Sequence, residues 1–265
     1  MFTPLTTDLS GFKKFNYKRQ PVGVKFEFGR PKNMKELDVK APMCEMFKLA
    51  QDKDYPFYMS KANENCVGRL IMGMEQFPAY TDAGELGPLY GIFKNDAANK
   101  KMYDFVPMFT KGTVNYVAFA RLDQLKFEPD LLLTIGTADQ AEKIMRAMSW
   151  STGLPWEAKA SSALGCAWLY VHPIKSLSVN WMITGMQFGM KAKHFFEEGQ
   201  VIIAIPFNLI PTVAQNLKDM QFDLPAYTMG REAFEKVELE SMGKLAEQFK
   251  DEASSAGTNL YKARD

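Results

Sequence analysis

The sequence is poor in the residues that build most catalytic centres. It holds 3 Cys and 2 His in 265 residues. Two histidines exclude a multi-His metal cage. Three cysteines exclude the disulfide framework that staples small secreted domains. A dominant charge is also absent: 32 Lys+Arg stand against 31 Asp+Glu, for a net charge of +1. That balance argues against a nucleic-acid partner held by bulk charge. No segment approaches the ~18 consecutive apolar residues of a spanning helix, so no membrane partner is expected. The opening Met1-Phe-Thr-Pro-Leu5 lacks the basic-then-apolar order of a signal peptide. With an odd cysteine count, this points to reduced thiols and a cytoplasmic protein. Phosphate loops (G-x-x-x-x-G-K-[ST] and G-x-G-x-x-G) and the G-x-S-x-G nucleophile elbow are missing. No internal repeat with a period of roughly 20–50 residues is visible.

What is present is apolar and well patterned: 17 Met, 20 Phe and 46% hydrophobic residues overall. Residues 21–28 alternate as a half-buried strand does. Met43, Met46, Phe47 and Ala50 trace a helical stripe over 42–51. Residues 55–59 suit a short edge strand, and 78–113 a surface excursion with one helix near 94–104. Residues 115–120 and the continuous apolar run 131–135 read as strands, the second covered on both faces. Thr137 and Gln140 form a capping box for the helix that follows. A strand is expected at 166–171. Met182, Met186 and Met190 recur at helical spacing. A second strand-then-helix unit spans 200–217, and Arg231–Lys250 reads as an amphipathic C-terminal helix. The expected fold is α/β or α+β: a single domain over 1–265 with a mixed β-sheet flanked by helices. Residues 21–220 form its core, and 225–265 its C-terminal helix and tail.

Cys44, Cys66 and Cys166 belong to no Cys-x-x-Cys pair, so spacing alone does not assign them to a metal. Their contexts are more informative. Cys66 lies in Glu64-Asn-Cys-Val-Gly68 and Cys166 in Leu164-Gly-Cys-Ala167. A neighbouring glycine lets backbone approach a bulky ligand, and nearby N–H groups can bond thiolate sulfur. The other reading is three buried packing residues, since free cysteine is among the most buried side chains. His172 and His194 lack partners at zinc-motif spacing.

Several collinear segments resemble one known family. They are Pro21-Val-Gly-Val-Lys25, Cys44 with Ala50, Asn65-Cys-Val-Gly68 with Gly73, and Glu128-Pro-Asp-Leu-Leu-Leu133. Gln140-Ala141 with Arg146-Ala147, Gly165-Cys166 and Ile205-Pro206 complete the set. The chain is similar, from about Pro21 to Leu217, to the uncharacterised archaeal and bacterial domain of unknown function 169. The resemblance implies cysteines at the positions of Cys44, Cys66 and Cys166, and so a metal centre. Some relatives carry a further cysteine where this chain has the Cys-free stretch 180–191. The expectation is therefore an iron–sulfur cluster held by Cys44, Cys66 and Cys166, with one iron left open. Asn65, Gly68, Arg69, Gly165 and Lys191 would complete a ligand site, with Arg69 or Lys191 holding a small anionic substrate. The role would be redox or lyase-type chemistry, with a redox partner or a homo-oligomer as company. Two alternatives remain: a metal-free small-molecule-binding domain lined by Met and Phe, and an oligomeric scaffold that docks through the C-terminal helix.

Overall fold

The structure, a computed structural model, describes residues 2–256. The chain divides into two units, Met1–Met220 and Gln221–Asp265.

The first unit is organised by one seven-stranded sheet. Its strands are β1 (Val22–Glu27), β2 (Lys35–Glu36), β3 (Phe57–Ser60), β4 (Tyr116–Arg121), β5 (Leu131–Gly136), β6 (Asn180–Ile183) and β7 (Val201–Pro206). Their spatial order is β2-β3-β4-β1-β5-β7-β6. Only the β2–β3 pair is parallel, so the sheet is mixed. The register of β1 sets its centre. Val24 opposes Phe119 of β4 on one side and Leu131 of β5 on the other.

Side-chain alternation gives the sheet two buried faces. Val22, Val24, Phe57, Met59, Val117, Phe119, Leu131, Leu133, Ile202 and Ala204 share one of them. Against it pack α1 (Met43–Asp52), through Met43, Met46 and Phe47, and a π-helical turn at Ala167–Val171. Three short helices follow α1 along the chain: α2 (Gly68–Ile71), α3 (Ala79–Asp82) and α4 (Leu86–Leu89). After them comes α5 (Asp96–Tyr103), capped by Asn95. The alternate strand residues, among them Ala118, Leu132, Ile203 and Ile205, are buried on the opposite face. There α6 (Ala138–Trp150) covers β5 and β7. Its N-terminus carries the full Thr137–Gln140 capping box. The chain continues through α7 (His172–Ser176), α8 (Phe188–Ala192) and α9 (Ile210–Asp219), which packs on α6.

Four expectations change. The 78–113 excursion holds three helices, α3, α4 and α5, rather than one near 94–104. Residues 167–171 are a π-helix rather than a strand. All five are buried, and a short all-apolar run satisfies a buried strand and a buried helix equally. Its fit is fixed from outside: Asn180 donates to the Trp168 carbonyl at 2.8 Å, and Tyr170 Oη donates to the Met43 carbonyl at 3.1 Å. The methionine stripe is broken, because Met182 lies on β6 and Met190 on α8, while Met186 is exposed. Gly185, at φ 87°, makes the turn between them. Finally, β3 is not an edge, since the two-residue β2 lies outside it.

The second unit holds α10 (Pro225–Thr228) and α11 (Arg231–Ala256). The apolar side chains expected on one face of α11 (Phe234, Val237, Leu239, Met242, Leu245 and Phe249) are all exposed. Among the described residues no helix is long and apolar enough to cross a membrane.

Candidate functional site

A cavity of about 500 Å3 opens beside α1, within the size range of small-molecule sites. All three cysteines line it. They arrive on three separate segments: Cys44 in the first turn of α1, Cys66 in the loop before α2, and Cys166 at the start of the π-helix. The wall is mostly apolar. The 78–103 excursion supplies Pro78, Leu86, Tyr90, Ile92, Met102 and Tyr103.

The segments bearing Cys44 and Cys66 are laced together by one buried carboxylate. Glu64 Oε1 accepts from the Met43 N–H at 2.9 Å, and Oε2 accepts from the N–H groups of Cys66 at 2.9 Å and Arg69 at 3.2 Å. Its side chain has no exposed surface. The three donors replace the water that a buried carboxylate otherwise loses. A bridge between Ala41 and Glu64 aligns the same two segments. Gly68 is required by this closeness: an added methyl would lie 2.4 Å from Met43 Cβ and 2.7 Å from Glu64 Oε1. The third segment is joined by the Tyr170 bond to Met43, next to Cys44. Leu164, just before Gly165-Cys166, holds φ 58°. Such a strained backbone in a non-glycine residue is characteristic of functional sites, as are π-helical turns.

The electrostatics favour the protonated thiol at Cys44 and Cys166. Burial, then the neighbouring Cys66, pushes the Cys44 thiol up to about 12. Lys193 acts in the opposite direction on Cys44 but is outweighed. Burial pushes Cys166 well up, reinforced by Cys44, Glu64 and Cys66. Cys66 and Glu64 thus act on both the Cys44 and the Cys166 thiol. A cationic group among them would reverse this balance, because metal-bound thiols ionise.

The remaining expected residues fall as follows. Asn65 lines the cavity and is exposed. Gly68 and Gly165 are in the wall. Arg69 lines it too, but its donors are engaged: Nε on Glu75 at 2.7 Å, and Nη1 on the Cys66 carbonyl at 2.9 Å. Through Nη1 it braces the Cys66 loop. Lys191 stands outside the lining, 3.6 Å from Glu198, and Lys193 takes the place at the cavity. Neither histidine lines the cavity. His172 is half-buried beside Trp168, and burial, then Lys159, lowers its pKa.

Sequence reasoning missed four contributors: Glu64, Gln187, Lys193, and the Tyr90–Phe188 ring pair with centroids 5.6 Å apart. Only Glu64 had a usable signal, as a carboxylate two residues before a cysteine and four before a glycine. Among the described residues, no three of His, Cys, Asp and Glu stand close enough to hold a single metal ion. A mononuclear thiolate site needs bonds of about 2.3 Å. Thiolates are the ligands that iron–sulfur clusters take, and three of them line this one cavity.

The chain is 28% identical over 133 residues to an uncharacterized protein of Methanocaldococcus jannaschii. That match covers 49% of this chain and 57% of the relative. No solved structure matches. Residues 13–216 match the domain of unknown function 169, described as uncharacterised ArCR. They include every cysteine, the whole sheet and the cavity wall, and the chain belongs to that family.

Proposed function

We propose that this is a cytoplasmic iron–sulfur protein whose cluster is held by Cys44, Cys66 and Cys166, with one iron left open for redox or lyase-type chemistry. One observation carries this reading. A chain with only three cysteines sends all of them, from three distant segments, into one cavity large enough for more than an ion. Packing alone gives no reason for three thiols to share a cavity wall. When bound, such a cluster supplies a Lewis-acidic iron or a one-electron couple. The chain's own residues do the rest. Glu64 holds the Cys44 and Cys66 segments in register, Arg69 braces the Cys66 carbonyl, and the apolar 78–103 excursion shields the sulfurs from water. A dry, shaped surround of this kind is what tunes a cluster's potential.

The test is anaerobic purification, or reconstitution with ferrous iron and sulfide, followed by iron and acid-labile sulfide analysis. A brown protein is expected, with about four irons per chain that each single Cys→Ser change depletes. If the three Cys→Ser proteins fold and hold as much iron as the parent, the assignment fails.

A further inference from the structure

A residue of the cavity wall carries a buried acceptor that has no partner among the described residues. Gln187 is 2% exposed and lines the cavity wall. Its Nε2 donates to the Ser161 carbonyl. Its Oε1 has no partner among the described residues. The amide cannot simply be turned over, because that would set its oxygen against the Ser161 carbonyl oxygen. An added methyl on Gly165 would meet this Oε1 at 3.2 Å, which places it beside the residue preceding Cys166. Buried acceptors are almost always paired, so an unpaired one on a residue of a cavity wall calls for a donor.

Two further features define what that donor is attached to. Lys193 lines the cavity and is near enough to Cys44 to oppose the upward shift of its pKa. It forms no ion pair among the described residues, in contrast to Lys191 on Glu198. Its ammonium lies 5.9 Å from the centre of the Phe195 ring, a weak contact that leaves its N–H donors to a ligand. The Tyr90 and Phe188 rings, both partly exposed in the lining, offer an apolar surface for a short carbon skeleton.

We infer that the cavity binds a small hydroxycarboxylate, its carboxylate on Lys193 and its hydroxyl donating to Gln187 Oε1. A hydroxyl is favoured over an ammonium because a second cation would be repelled by Lys193 and costs more to desolvate in an apolar wall. This inference rests on the proposed function for the chemistry of the site, but on Gln187 and Lys193 for its ligand.

The experiment is calorimetric titration of the full chain, before and after anaerobic reconstitution, with visible absorbance recorded on every sample. The probes are malate and lactate, their deoxy counterparts succinate and propanoate, and their amino counterparts aspartate and alanine. The hydroxy acids are expected to bind about tenfold more tightly than the deoxy acids, the value of one well-formed hydrogen bond to a buried acceptor. Gln187→Met should abolish that preference while leaving deoxy-acid binding in place. Lys193→Gln, on an exposed side chain, should weaken both acids several-fold even if the Gln187 variant does not fold. Equal binding of hydroxy and deoxy acids, as water alone on Gln187 would give, overturns the inference. So does a preference for the amino acids, or no binding by any probe. A colourless, iron-free protein that still prefers hydroxy acids overturns only the iron–sulfur assignment. A cluster-bearing protein without the preference overturns only this ligand.

Discussion

Replacing Glu64 by Gln tests whether one carboxylate organises the cysteine site. The two side chains are nearly isosteric, so no cavity is created. The wild-type oxygens serve three backbone N–H groups, those of Met43, Cys66 and Arg69. A carboxamide has one oxygen and must turn its NH2 toward at least one of these donors. One charge-assisted bond, worth about 1.5–3 kcal/mol, is lost, and a buried N–H is left facing another donor. The expected cost is about 2–4 kcal/mol. With a urea slope near 3 kcal/mol per M for a chain of this size, the unfolding midpoint of the apoprotein should fall by about 1 M. Because the bonds hold the Cys44 and Cys66 segments together, iron uptake on reconstitution should fall in the same variant. The assay is paired: urea titration followed by circular dichroism, and iron per chain. A midpoint within about 0.2 M of wild type would refute the claim that Glu64 is the organising residue.

Other outcomes follow from the same geometry. Gly68→Ala should destabilise the apoprotein by about 1–3 kcal/mol through overpacking against Met43, and a calorimetric melting curve checks it. Cys44 in the apoprotein should react with iodoacetamide at pH 8 about a thousandfold more slowly than an ordinary thiol. Its pKa is raised from 9.0 to about 12, and only the thiolate attacks. Peptide mass mapping over time reads this, and alkylation at the free-thiol rate would contradict the burial assigned to it. The sign is fixed: the folded state favours the protonated thiol, so that contribution to stability is present below pH 9 and declines between pH 9 and 12. Deleting residues 221–265 removes the exposed apolar side chains of α11, and light scattering should show a lower oligomeric mass. An unchanged mass would remove the helix from any role in assembly.

The parts of the fold that were legible are those specified locally. The β5–α6 unit combines a continuous apolar run, a capping box and a 3.6-residue stripe, and each signal is contained within a few residues. The run 167–171 was not legible, because buried residues on every side erase the periodicity that separates strand from helix. The methionine stripe was misleading for a related reason. Its spacing was helical, but Gly185 turns the chain between Met182 and Met190. At the site, the cysteines and their glycines could be picked out by residue type. What binds them into one place could not. Glu64 carries a local signal in its spacing to Cys66 and Gly68, but the backbone donors it serves have no sequence signature. Gln187, Tyr90 and Lys193 reach the cavity from segments more than 20 residues from any cysteine that precedes them, brought there by tertiary packing alone. Lys193 and Lys191 differ by two positions, and only the fold distinguishes the one beside the cavity from the one paired with Glu198.

The central claim is a cluster with three protein ligands and one open iron. Mössbauer spectroscopy of the protein reconstituted with 57Fe tests it most directly. The account predicts a diamagnetic four-iron cluster with three similar irons and one distinct iron, whose parameters shift when a small anion is added. A spectrum of mononuclear iron alone, or no protein-bound iron after reconstitution, would contradict it.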